Sequence, residues 1–174
     1  MVIANIINNS FKEGKFPDAL KFAKVVPIYK DGTKTEVENY RPISLLTLFS
    51  KIYEKLMHKR LVEFLEQNST LYENQYGFRS GRSCEHALLN AQNILNNSLN
   101  NNQISLLLLI DFSKAFDMVD HKILLHKLHR YGIRGNALEW LTSYLSQREQ
   151  YVSINSKDST RAVVKYGIPQ YTLL

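Results

Sequence analysis

Cysteine is almost missing from this chain, Cys84 being the only one among 174 residues. A lone cysteine excludes an intramolecular disulfide and a thiolate metal cluster, and it suits a reducing compartment such as cytosol or nucleus. Long hydrophobic runs are missing too. The longest, Leu106 to Ile110, falls far short of the roughly 20 residues that a membrane-spanning helix needs. Met1 to Ser10 has no basic stretch and holds three asparagines, which does not fit a secretory signal. No Asp-Asp dipeptide, internal repeat or evident linker occurs. What is present is an ordinary globular balance, 44% apolar and 22% charged, too rich in Leu, Ile, Phe and Tyr for a disordered chain. The net charge of +6 and pI near 9.3 suit a polyanionic partner such as nucleic acid, but equally suit many proteins without one.

Periodicity predicts helices and strands in an α+β order. Ile3, Ile6, Ile7 and Phe11 form a helical stripe that Gly14 ends. Phe22 to Tyr29 reads as a strand, followed by an Asp31-Gly32 turn. A long amphipathic helix is expected from about Leu45 to Gln67, its stripe including Leu48, Phe49, Ile52, Tyr53 and Leu56. Glu73 to Arg82 is a loop, and Ser83 caps a helix carrying Ala87, Leu88, Ile94 and Leu95. The Asn-rich stretch from Asn96 to Asn102 reads as a connection. Ile104 to Ile110 reads as a strand buried on both faces. A helix with Ile123, Leu124 and Leu128 ends at Gly132, and Asn136 with Glu139 is expected to cap another through Leu145. Tyr151–Asn155 and Ala162–Tyr166 alternate as a hairpin.

The segment carrying most chemical information is Leu106 to His121. A buried apolar strand running into Asp111 sets a carboxylate where desolvation penalises it unless a cation compensates. Mg²⁺ prefers such hard oxygen ligands, and phosphoryl transfer needs metals on the attacking and leaving oxygens. A helix or turn cap is the plainer role for the same aspartate. Asp117 and Asp120 read as caps of the helix that follows. His121, His126 and His129 read as ordinary helix residues, because no ligand set accompanies them.

Asp111-Phe-Ser-Lys-Ala-Phe-Asp117, continued by Val119-Asp120-His121, resembles the first catalytic motif of reverse transcriptases of non-LTR (LINE/jockey-like) retrotransposons. Val25 to Lys30, Asn39-Tyr-Arg-Pro-Ile-Ser-Leu-Leu46 and Gln75-Tyr-Gly-Phe-Arg-Ser-Gly-Arg-Ser83 resemble that family's fingers segments. Gly167-Ile-Pro-Gln170 resembles the start of its next motif. Apart from Val25 to Lys30, these are four blocks in the family order, and together they cover nearly the whole chain.

The resemblance implies the fingers and part of the palm of a right-hand polymerase, with residues 1–102 as fingers, 103–174 as partial palm, and no thumb. It implies an RNA-directed DNA polymerase using an RNA template, a DNA primer, dNTPs and Mg²⁺, or Mn²⁺ in its place. Asp111 would be the catalytic, metal-binding carboxylate, and the backbone carbonyl of Phe112 would face the second metal. Phe116 would lie under the sugar and exclude a 2′-hydroxyl, although a core aromatic fits the pattern as well. Arg41, with Lys30 beside it, would hold the triphosphate, since the guanidinium fork matches phosphate oxygens. Gln170 would position nucleotide or template. Arg79 and Arg82 would touch the template backbone, or form a plain solvated loop.

Two departures from the family pattern bear on activity. Where the family continues Gly-Ser after Gln170, this sequence has Tyr171-Thr172-Leu173-Leu174. The Ala-Asp-Asp hairpin that completes the family's site is not in these 174 residues, so the chain reads as truncated after the fourth block and inactive alone. The rival readings are a non-catalytic nucleic-acid-binding remnant and a functionless translated fragment. A phosphatase using Asp111 as nucleophile ranks last, because position 113 is Ser113 rather than a second acid.

Overall fold

The computed structural model describes residues 2–169, so Gln170 and the Tyr171–Leu174 departure lie outside the described residues. The chain divides into two compact units. Unit 1 comprises Met1–Glu63 with Lys114–Leu174, and unit 2 comprises Phe64–Ser113.

Unit 1 joins a mixed sheet to a helical core. Helix α1 (Val2–Glu13) ends at Gly14, whose φ of 64° suits a residue without Cβ. Strand β1 (Phe22–Tyr29) pairs antiparallel with β2 (Tyr40–Leu45), from Lys24↔Leu45 to Tyr29↔Tyr40. Leu45 therefore belongs to a strand, and helix α2 begins at Leu48 and runs to Gln67. Leu45 is held in the ladder opposite Lys24, which is why the helix starts later than its apolar pattern suggests. Strand β3 (Glu149–Ile154) lies parallel to β1, with Phe22↔Glu149 through Val25↔Val152. It pairs antiparallel with β4 (Lys157–Asp158) and β5 (Ala162–Val163), which bears out a hairpin in this region, with a first strand that starts two residues earlier than expected and a second that is shorter.

The core of unit 1 is aromatic. Helix α5 (Asn136–Leu145) buries Trp140, Leu141, Tyr144 and Leu145. Phe16 meets Trp140 at 5.2 Å and Tyr144 at 5.1 Å, both edge-on, and Tyr53 at 5.7 Å. Such pairs add roughly 0.5–1.5 kcal/mol each beyond area burial. Trp140 Nε1 donates to Ser10 Oγ at 3.0 Å, so the indole enters the core with its polar atom satisfied. Helix α2 buries Ser50, Tyr53, Glu54 and Met57 rather than Leu48 and Phe49, which stay more than half exposed. The spacing is helical, but the buried face is rotated from the most apolar one. Tyr53 drives that choice by joining the aromatic cluster, and Glu54 is tolerated because Tyr144 Oη donates to its Oε1 at 2.7 Å.

Helix α4 (His121–Arg130) ends before Gly132, as its pattern predicts. Asp120 is its N-cap, accepting from the amides of Lys122 and Ile123 at 2.8 and 3.0 Å. Asp117 does not cap it. The cap of α5 is Gly135, with φ 56°, and not Asn136. Asn136 is the first helical residue, and its side-chain amide donates instead to the Lys12 carbonyl at 2.5 Å, fastening α5 to the end of α1.

Unit 2 holds the last turn of α2, a loop, helix α3 (Cys84–Asn100) and an irregular segment. Ser83 caps α3, as its sequence position predicts. The helix runs through Asn96 to Asn100, so that stretch is helical rather than a connection. The larger correction concerns Ile104 to Ile110. This segment is neither a strand nor buried, and its apolar side chains are 61% to 101% exposed. A strand requires ladder partners for its amides and carbonyls, and among the described residues every strand of the sheet belongs to unit 1.

Candidate nucleotide and nucleic-acid site

Two of the sequence blocks, about fifty residues apart, are fastened together in unit 1. Gly167 N donates to the Val119 carbonyl at 2.8 Å, and Ile168 N donates to the Phe116 carbonyl at 3.0 Å. Asp120 and Tyr166 form an isolated antiparallel bridge. His121 Nε2 lies 2.7 Å from the Gly167 carbonyl, so this histidine secures the junction. Gly167 has φ 81°, and a Cβ there would fall 2.7 Å from the Asp117 carbonyl oxygen. Only glycine permits this approach. Phe116 and the Gly167-Ile168-Pro169 segment are thereby neighbours, while Gln170, the remaining candidate of that block, lies outside the described residues. A cavity of about 280 Å³ opens beneath the junction, lined by Asp117, Gly167 and Pro169 together with Ser44, Arg148 and Gln150.

Lys30 and Arg41 belong to the β1–β2 ribbon. Lys30 N donates to the Asn39 carbonyl at 2.8 Å, and Arg41 stands opposite Ile28. Side chains alternate along a strand, so Lys30 and Arg41 share one face as a diagonal pair. Val25, Pro42 and Ser44, which line the cavity, share the other. The structure brings these two cations to each other but not to the cavity. Lys30 Nζ lies 3.6 Å from Asp31 in an exposed pair of little energetic weight.

The other candidates lie in unit 2. Asp111 and Phe112 fall in the irregular segment, with the Phe112 ring 77% exposed. The Asp111 carboxylate and the Phe112 carbonyl are hard oxygen donors of the kind Mg²⁺ prefers. Among the described residues, however, no three His, Cys, Asp or Glu side chains are grouped to hold a metal. Two donors do not make a metal site.

Arg79 and Arg82 turn inward. Arg79 forms a fork with Glu66, Nε to Oε1 at 2.9 Å and Nη2 to Oε2 at 2.5 Å, and Nη1 donates to the Tyr72 carbonyl at 3.0 Å. These bonds hold the Glu66 carboxyl below the ordinary carboxylate range and raise Arg79 further. Arg82 donates to the Glu73 carbonyl and lies over the Tyr76 ring at 5.6 Å. Both guanidinium groups therefore shape the Glu73–Arg82 loop. Sequence reasoning did not single out Arg148 or Glu54, the buried charges nearest this machinery. Glu54 stands between Tyr53 and Lys55 in a run of mixed charge, so nothing in the sequence marks it as buried.

The scaffold is a mixed α/β fold with a small mixed sheet, in which hydrogen bonds join the Phe116 turn to Gly167 and Ile168. Residues 28–170 match the reverse transcriptase (RNA-dependent DNA polymerase) family, and the chain belongs to it. It is similar to the RNA-directed DNA polymerase from the mobile element jockey of Drosophila melanogaster, 32% identical over 99% of this chain and 19% of that protein. The probable RNA-directed DNA polymerase from transposon BS of the same species is 30% identical over the whole chain and likewise 19% of its own length. A 149 kDa protein of transposon TX1 from Xenopus laevis is 27% identical over 86% of the chain and 11% of that protein. The chain thus spans about a fifth of the length of the first two relatives.

Proposed function

We propose that this chain is the fingers and part of the palm of a mobile-element polymerase that copies an RNA template from a DNA primer using dNTPs. The observation that carries the reading is the fastening of the Phe116 turn to Gly167-Ile168-Pro169, within a family match running from residue 28 to 170. In this reading residues 1–102 form the fingers region and 103–174 the partial palm. Asp111 is the catalytic carboxylate. With the Phe112 carbonyl it would supply part of a Mg²⁺ or Mn²⁺ ligand set that needs further carboxylates to be complete. Phe116 and Gln170 contact the nucleotide, and Lys30 with Arg41 meets its phosphates bidentately or as point charges. Arg79 and Arg82 belong to the template path. Because their donors are engaged within the loop, they give the template a fixed backbone rather than free guanidinium groups.

Alone, this chain binds nucleic acid without extending it. That second reading, a binding remnant without chemistry, is favoured by the absence of any carboxylate cluster around Asp111 among the described residues. Both readings are tested by titrating the purified chain with a labelled RNA template annealed to a DNA primer. Two to four phosphate contacts predict affinity falling roughly 10- to 150-fold between 50 and 200 mM salt. No binding at the lower salt would defeat both readings and leave a fragment without function. Template-dependent dNTP incorporation would defeat the claim of inactivity alone.

A further inference from the structure

Arg148 opens into β3 at 2% exposure, a guanidinium almost entirely withdrawn from water. Its Nη1 donates to the Tyr144 carbonyl at 3.3 Å, and its plane lies 4.6 Å from the Tyr144 ring centroid. The Tyr144 hydroxyl donates in turn to Glu54, which is 0% exposed. One tyrosine therefore connects a buried carboxylate to a buried guanidinium, through its hydroxyl and its ring face. This support holds Arg148 from behind. Nη2 remains buried with no hydrogen-bond partner. A buried donor left unpaired is destabilising, and native structures retain few of them. Arg148 also lines the 280 Å³ cavity beneath the Phe116–Gly167 junction.

We propose that Arg148 is a further residue of the nucleotide site, its Nη2 serving an acceptor on the neutral, nucleoside part of an incoming nucleotide. This rests on the polymerase reading above and adds a residue to that site. Three features select the nucleoside part over the phosphates. The cavity is smaller than the roughly 300–1,000 Å³ that enclose a whole ligand, so it takes only a portion. Its wall alternates apolar surface from Val25, Val164 and Ile168 with the polar groups of Ser44, Gln150 and Arg148, which suits a sugar or base and not a dense anion. The cations suited to phosphate, Lys30 and Arg41, lie on the opposite face of the β1–β2 ribbon.

The test is an NMR titration of the ¹⁵N-labelled chain with thymidine, reading the Arg148 Nε–H resonance, assigned by its loss in Arg148→Lys. Saturable movement of that resonance is expected. In the variants, which lack that resonance, binding is read from the Phe116 and Gly167 amides: Arg148→Lys, which keeps the charge and loses the fork, should bind thymidine about tenfold more weakly, and Arg148→Met should abolish the amide shifts. Tyr144→Phe lowers stability while the thymidine response persists, which separates ligand contact from structural support. Pyrophosphate should leave the Arg148 resonance in place. Thymidine shifts at the Phe116 and Gly167 amides without movement at Arg148 would overturn the inference, as would undiminished binding by Arg148→Met. Silence toward thymidine in a chain that still binds primer–template overturns it and spares the polymerase reading. Silence toward both overturns the two together.

Discussion

Unit 1 and unit 2 draw on similar amino acids and use them differently. In unit 1, Phe16, Tyr53, Trp140 and Tyr144 lose nearly all exposure and hold one another in edge-on and stacked pairs. In unit 2 no residue from 64 to 113 is buried, although the unit carries Leu88, Ile94, Leu99 and the run from Ile104 to Ile110. Apolar content is therefore not the difference. Unit 1 pairs its strands in one sheet and sets three helices around one aromatic centre, whereas unit 2 has one long helix and a segment with no strand to pair with. Its order comes from polar clamps, above all Arg79 with Glu66 and the Ser83 cap. Hydrophobic side chains stabilise only where other surfaces come to meet them.

The comparison breaks first on the core. Phe16→Ala should destabilise unit 1 by about 3–5 kcal/mol, whereas Ile94→Ala in unit 2 should stay within about 0.5 kcal/mol. Urea unfolding followed by the fluorescence of Trp140, the single tryptophan, measures the first, and the helical circular-dichroism signal, to which α3 contributes, measures the second. Equal losses would mean that unit 2 has a core of its own. The exposed run provides the next contrast. Ile104 to Ile110 carries no charge, proline or glycine, which favours pairing between chains. The double variant Leu107→Lys, Leu109→Lys should shift the sedimentation profile toward monomer without lowering the unfolding midpoint. The smallest effect concerns the loop clamp. Because Arg79 depresses the folded-state pKa of Glu66, their attraction is fully present above the ordinary carboxylate range and is lost as pH falls through the depressed value. Amide exchange in residues 72–82 should accelerate as pH drops through that window, beyond its intrinsic pH dependence. Glu66→Gln should show the faster exchange already at neutral pH.

What was legible in the sequence was local. β1, the stops at Gly14 and Gly132, and the Ser83 cap each depend on a few neighbouring residues. What required partners was not legible. β2 is not read as a strand, and its last residue, Leu45, reads as part of the following helix, because its ladder with β1 is invisible in the residue pattern. The run from Ile104 to Ile110 has the composition of a buried strand, but composition does not provide a partner. The family blocks marked Phe116 and Gln170 for the nucleotide; Gln170 lies outside the described residues, and the segment just before it is joined to the Phe116 turn by hydrogen bonds. Asp111, in unit 2, is not accompanied by a ligand set, and neither the burial of Arg148 nor its support by Glu54 through Tyr144 has a sequence signature.

The parallel pairing of Phe22–Val25 with Glu149–Val152 has a consequence for synthesis. The first strand leaves the ribosome long before its partner exists, by roughly 6–25 s at ordinary elongation rates. During that interval β1 has only β2 beside it, and unit 2 is made in full while unit 1 is still half written. A nascent chain of this design therefore depends on whatever shields its early sheet edge until residue 152 has emerged.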